Sequence, residues 1–161
     1  MELLPPQARL SFDPNIRPEV LSVEQIRALC APVLARADVF LPSAGEGRLF
    51  TGAATDEEGC RQLARQGKIV VLKEGARGSR IFTATEEMHI PAFPVTEVDP
   101  TGAGDSFCAA FTVALLEEMP LAEAGRFANA VGALAVTVKG PMEGAPTRAQ
   151  VEAFLARRAA L

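Results

Sequence analysis

At 161 residues, 48% of them hydrophobic and 22% charged, the chain has a globular balance and length enough for one domain with a real core. Its net charge of −4 gives no reason to expect a nucleic-acid surface or an anionic membrane as partner. No apolar run approaches the roughly 20 residues of a membrane span, and Met1-Glu2-Leu3-Leu4-Pro5-Pro6 lacks the basic flank and long apolar centre of a secretory signal.

Strand and helix signals alternate through the first half. Ala8 to Phe12 reads as a short buried strand ending at Asp13-Pro14-Asn15. Ser22 and Gln25 form a capping box for a helix whose apolar stripe is Val23, Ile26, Leu29 and Val33. Val39 to Pro42 is a second strand. Thr55 and Glu58 make another capping box, opening a helix through Cys60 and Leu63 that stops near Gly67, and Lys68 to Leu72 is a third strand. This alternation predicts a mostly parallel sheet with helices on its faces. Ser79 to Thr83 and Glu87 to Ile90 then read as an antiparallel pair. Residues 102 to 118 form a helix with Ala103, Phe107, Ala110, Phe111 and Ala114 on its apolar face. A second helix, over about 121 to 138, turns Leu121, Ala124, Ala128, Val131 and Ala135 inward and ends at Gly140-Pro141. Thr147 and Gln150 cap a last helix carrying Val151, Phe154 and Leu155. With no repeat and no linker, residues 1–161 read as a single unit. Cys30, Cys60 and Cys108 lie on apolar helical faces and read as buried reduced thiols, consistent with a cytoplasmic enzyme.

Four segments could carry chemistry. In Val98-Asp99-Pro100-Thr101-Gly102-Ala103-Gly104-Asp105, glycines and a carboxylate meet at the start of an apolar helix. Helix starts present unpaired N–H groups and attract anions. Asp105 opposes an incoming anion unless the site also needs a base, as a phosphoryl transfer to a hydroxyl does. The plainer alternative is a tight strand-to-helix turn with Asp105 as a favourable first-turn acid. No GxxxxGK[ST] loop and no GxSxG elbow is present. Phe12-Asp13-Pro14-Asn15-Ile16-Arg17 follows a strand, where ligands sit in open α/β sheets; it reads equally as a Pro-bounded turn. Pro42-Ser43-Ala44-Gly45-Glu46 ends the second strand, and Glu46 alone reads as well as a solvated acid at a helix start. Lys73-Glu74-Gly75-Ala76-Arg77-Gly78 runs from a strand into a glycine loop, where backbone can approach a ligand closely or simply turn. His89 reads as structural, and Arg157-Arg158 as a solvated helix end.

These segments, in this order, resemble the ribokinase-like (PfkB) family of carbohydrate kinases. The first is similar to that family's D-[TS]-x-G-A-G-D signature. The second resembles the FDPNxR stretch of members related to 2-keto-3-deoxygluconate kinase and fructokinase. The resemblance implies an ATP-dependent kinase acting on a sugar or sugar-acid hydroxyl, with Mg2+ and, in parts of the family, a monovalent cation held by a loop such as Lys139 to Gly144. It implies Asp105 as base, Gly102, Ala103 and Gly104 as anion hole, and Arg17 with Asp105 at the substrate. Asn15, Ser43, Lys73, Gly75, Ala76, Arg77 and Gly78 are implied at the nucleotide, with Gly102, Gly104 and Asn129. Ser43 stands where the family's P-N-x-x-E segment has asparagine, and Glu46 is implied to reach magnesium through water. The expected fold is the later part of a three-layer α/β/α Rossmann-like ribokinase fold. The N-terminal strands and β-sheet lid are not represented, so a homo-oligomer or a partner chain is expected to complete it. The alternative is a truncated or non-catalytic nucleotide-binding fragment.

Overall fold

A computed structural model of the chain describes residues 5, 7–16 and 19–159. Strand β1 (Ser11–Phe12) is shorter than the expected Ala8 to Phe12. Its predecessor Leu10 donates its N–H to the Asp38 carboxylate (2.7 Å), and only its carbonyl faces β2, accepting from the Asp38 (2.9 Å) and Val39 (3.1 Å) N–H groups. Helix α1 (Val23–Arg36) starts at the expected capping box: the Gln25 N–H donates to Ser22 Oγ, and the Ser22 N–H donates to Gln25 Oε1, an arrangement worth about 1 kcal/mol. Its buried face is not the predicted one. Ile26 and Leu34 are buried and Cys30 half-buried, an i, i+4, i+8 row, while Leu29 is 64% exposed and Val23 also faces solvent. The Lys68 ammonium closes the end of α1 by donating to the carbonyls of Ala37 (2.8 Å) and Ala35 (3.2 Å), where the helix dipole favours a cation.

Strand β2 (Val39–Phe40) is followed by α2 (Glu46–Thr51), a single short helix with no apolar period to announce it. Asp56 anchors it, accepting from the N–H groups of Gly45 (2.6 Å) and Arg48 (3.0 Å). Helix α3 (Asp56–Ala64) starts at Thr55, whose hydroxyl accepts from the Glu58 N–H (3.2 Å). Strand β3 (Ile69–Lys73) buries Val70, Val71 and Leu72 in succession, the pattern of a strand covered on both faces. A 3-10 turn (Gly75–Arg77) leads into β4 (Ser79–Phe82), and a Thr83–Glu86 turn leads into β5 (Glu87–Ile90). The sheet order is β1-β2-β3-β4-β5, with β1, β2 and β3 parallel. Links this short join β3, β4 and β5 as antiparallel neighbours. Phe40 centres the core here, with the Phe12 ring at 5.7 Å and the Phe50 ring edge-on at 5.6 Å; Leu63, Val70, Leu72 and Phe82 surround them.

The rest is helical. Helix α4 (Ala103–Leu116) packs against α5 (Leu121–Ala135), with Phe107, Ala110, Phe111 and Ala114 buried on one and Ala124, Ala128, Val131 and Ala135 on the other. Helix α5 stops before the expected Gly140-Pro141, because the Val136 carbonyl accepts from the N–H groups of Val98 (2.8 Å) and Asp99 (3.1 Å) and the chain is pulled out of helix. Helix α6 (Arg148–Ala159) buries Val151 and sets Phe154 edge-on to Phe93 at 5.2 Å. The chain divides into two compact units. One takes the residues up to Glu74 with Arg80–Met88, the other Gly75–Ser79 with the residues from His89 onward.

The outer face of α4 carries Val113 at 44% and Leu116 at 77% exposure. Helix α4 is thus apolar nearly all round, the character of a helix covered on more than one side. Of the three cysteines only Cys60 is fully buried, and burial followed by the nearby Asp56 and Glu57 charges pushes its thiol up to about 12. Cys30 and Cys108 are half-buried, because α1 and α4 each leave a flank open. No helix among the described residues is long and apolar enough to cross a membrane.

Candidate active site

In the first unit, polar groups collect at the carboxyl ends of β1, β2 and β3, the edge at which open α/β sheets bind ligands. Asp13 follows β1, Ser43 and Glu46 follow β2, and Lys73 ends β3. The Lys73 ammonium is ion-paired to the Asp13 carboxylate, with both side chains largely buried. The other Asp13 oxygen accepts from the Asn15 N–H (3.2 Å), and Asn15 takes a left-handed φ of 42°, which asparagine tolerates better than most residues. Ser43 bridges to Lys73 across the parallel ladder. Glu46 is not the solvated acid considered above. Its Oε2 accepts from the Ser43 N–H (2.6 Å) and its Oε1 from the Ile16 N–H (2.9 Å). A carboxylate offers about four lone-pair sites, so Glu46 keeps room for a metal-bound water. No group of three or more metal-ligating side chains occurs among the described residues. Arg17 lies outside the described residues.

In the second unit, Gly102 precedes α4 in a left-handed conformation, φ 78°. A Cβ there would collide with the Pro141 carbonyl, so only glycine fits. The Ala103 N–H makes a turn bond to the Pro100 carbonyl (3.2 Å), and the Ser106 N–H makes the first helical bond, to Gly102 (2.9 Å). The amides between them, on Gly104 and Asp105, have no intrahelical acceptor. Both residues are exposed. Asp99 secures this loop: Oδ1 accepts from the Thr101 N–H and Oδ2 from the Gly140 N–H, each at 2.9 Å. The Thr101 bonds, then the Gly140 bond and the nearby Lys139, hold its carboxyl at about 2. Gly132 of α5 sits 3.8 Å, measured from where its Cβ would be, from the Ala103 carbonyl.

The glycine loop belongs to the same unit. The Gly78 N–H closes the 3-10 turn on Gly75 (2.9 Å), and a Cβ on Gly78 would collide with the backbone of Ile90 to Ala92. Ala76 and Arg77 are exposed, and His89 Nε2 lies 3.0 Å from the Arg77 carbonyl. Asn129 is only 7% exposed, and its amide nitrogen donates to the carbonyls of Ile90 (2.9 Å) and Pro91 (3.2 Å). It thus braces the segment on which Gly78 rests. Arg158 is not a free solvated end: it lies over the Phe154 ring at 5.1 Å and donates to the Pro94 carbonyl (3.0 Å), while Arg157 is exposed.

Sequence reasoning missed the pairing of Asp13 with Lys73, the anchoring role of Asp56 and the open amide of Asp105 itself. Asp13 was legible as a motif residue, but nothing in the sequence marks a partner 60 positions away.

A family description of pfkB family carbohydrate kinases matches residues 4–148. The chain is 35% identical over 149 residues to the 2-dehydro-3-deoxygluconokinase of Bacillus subtilis, covering 91% of this chain and 46% of that one. Among solved structures, an E. coli protein bearing the name ribokinase II, in complex with ATP and Mg2+, superposes with a TM-score of 0.87 at 39% identity, over 92% of this chain and 49% of that one. The fructokinase of Vibrio cholerae O395, bound to fructose, ADP and calcium, superposes at 0.81 with 33% identity, over 91% and 50%. The chain therefore spans about half the length of the relatives it matches.

Proposed function

The chain belongs to the pfkB family of carbohydrate kinases, and from that membership we propose that residues 1–161 carry the nucleotide-binding and catalytic half of a kinase that transfers the γ-phosphoryl group of ATP to a sugar or sugar-acid hydroxyl. The observation that carries the reading is the start of α4, where Asp105 stands exposed beside amides that have no helical acceptor. Asp105 accepts the proton of the hydroxyl while its oxygen attacks the γ-phosphorus and the bond to the ADP oxygen breaks. The helix start from Gly102 through Ala103 and Gly104, with the N–H of Asp105 added, holds the charge on the transferred oxygens. Glu46 would meet a bound magnesium ion through water, and that ion would supply positive charge against the phosphates. Asn15, Ser43, Lys73 and the Gly75–Gly78 loop are assigned to the nucleotide, with Asn129 supporting that loop through Ile90 and Pro91. Arg17 is assigned to the substrate, and the 139–144 loop to a monovalent cation. The Asn15-Ile16-Arg17 segment favours a 2-keto-3-deoxygluconate-like or fructose-like substrate, while the relatives' names include ribokinases as well.

Asp105→Asn tests the assignment. In an assembly competent for turnover, it should lower the rate by about 10² to 10⁴ and leave calorimetric ATP binding in place. Near-wild-type turnover by that variant would sink it. One observation favours a second reading, a nucleotide-binding fragment that needs a homo-oligomer or partner chain: the bare apolar flank of α4, Val113 and Leu116. ATP binding without phosphoryl transfer to any sugar in a panel would support it.

A further inference from the structure

We infer that Glu46 is a positioning residue, a carboxylate latch that ties the loop after β1 to the loop after β2 and so pre-shapes the phosphate end of the nucleotide site. The inference rests on the nucleotide assignment above and deepens it. Glu46 is the first residue of α2, and its two oxygens reach in different directions along the chain. One takes the Ile16 N–H, 30 positions earlier, and the other the Ser43 N–H, at the exit of β2. Both acceptor bonds are charge-assisted, the strong kind. The residues they fix adjoin or include two positions assigned to the nucleotide: Asn15 immediately precedes Ile16, and Ser43 is itself the second.

The geometry accounts for the acid being at this position. A left-handed Asn15 costs free energy unless its surroundings hold it, and Glu46 holds the next peptide unit. A glutamine could accept from only one of the two N–H groups, because its amide nitrogen would face the other donor. The role needs no metal: both bonds run to the chain's own backbone.

The test uses the whole chain, isotopically labelled, with Glu46→Gln and Glu46→Ala. In magnesium-free buffer, amide exchange at Ile16 and Ser43 should accelerate about tenfold or more in the alanine variant, and at one of the two in the glutamine variant. ATP affinity, measured by calorimetry, should fall in both variants and stay below the wild-type value at saturating magnesium. Unaltered exchange at both amides in Glu46→Ala would overturn the latch. Full recovery of wild-type affinity at high magnesium would overturn the positioning role, since the loss would then lie in metal binding alone. An affinity that never moves while the amides do would overturn it as well, leaving a loop tie without influence on the nucleotide. A wild-type chain that binds no ATP refutes the nucleotide assignment, and the positioning role with it, whereas the amide exchange still decides whether the latch exists.

Discussion

Among the described residues, Glu46, Asp56 and Asp99 each accept from two backbone amides. Asp99 accepts from Thr101 and Gly140, and its folded-state value of about 2 lies below the ordinary 3.8. A lowered value means that the unfolded chain binds the proton more readily. The stabilising contribution is therefore complete above the ordinary value and is lost as pH falls from there through about 2. We expect the Asp99 carboxyl resonance to titrate near 2 in the folded chain, with the Thr101 and Gly140 amide shifts following the same curve. A midpoint near 3.8 would show that the carboxylate does not hold the loop. Lys73 and Asp13 differ in pairing charge with charge: both side chains are largely buried, and removing either would take away the other's counter-charge.

At the scale of elements, the turn into α4 has the least freedom. Gly102→Ala would introduce a Cβ against the Pro141 carbonyl at a φ of 78°. It should destabilise the chain by more than about 1 kcal/mol, seen as a lowered denaturation midpoint with an unchanged denaturant slope. An unchanged midpoint would mean that the turn is looser than described. This turn was fully legible in the sequence, since adjacent small residues and an acid at the head of an apolar helix leave few alternatives. The capping boxes of α1 and α6 were legible for the same reason: their signals are local. The buried face of α1 was not. Val23, Ile26, Leu29 and Val33 satisfy a helical period as well as the row through Ile26, Cys30 and Leu34, and only the position of the sheet decides between them. Helix α2 was invisible because Asp56, a residue beyond its end, holds it in place. Of the site, the motif residues were legible and their partners were not: Glu46 with Ile16, Lys73 with Asp13 and Asn129 with Ile90 are all distant in sequence.

Over the whole molecule, the parallel order of β1, β2 and β3 followed from alternating strands and helices, and the β4–β5 hairpin from its short polar turn. What the sequence concealed is how the chain is shared out. The backbone leaves the first unit after Glu74, returns at Arg80 and leaves again after Met88. Neither unit is therefore a contiguous stretch, and each owns a short segment embedded in the other's sequence. The chain is stitched rather than strung. A protease that cuts after exposed Arg77 would produce two pieces that remain one particle, because β3 lies on one piece and its sheet neighbour β4 on the other. The nicked protein should elute with the intact one and come apart only in denaturant. Two separate peaks under native conditions would contradict the pairing of β3 with β4. For anyone dividing this chain to study its parts, the same stitching means that a cut after Met88 keeps the first unit whole but carries Gly75–Ser79 away from the second.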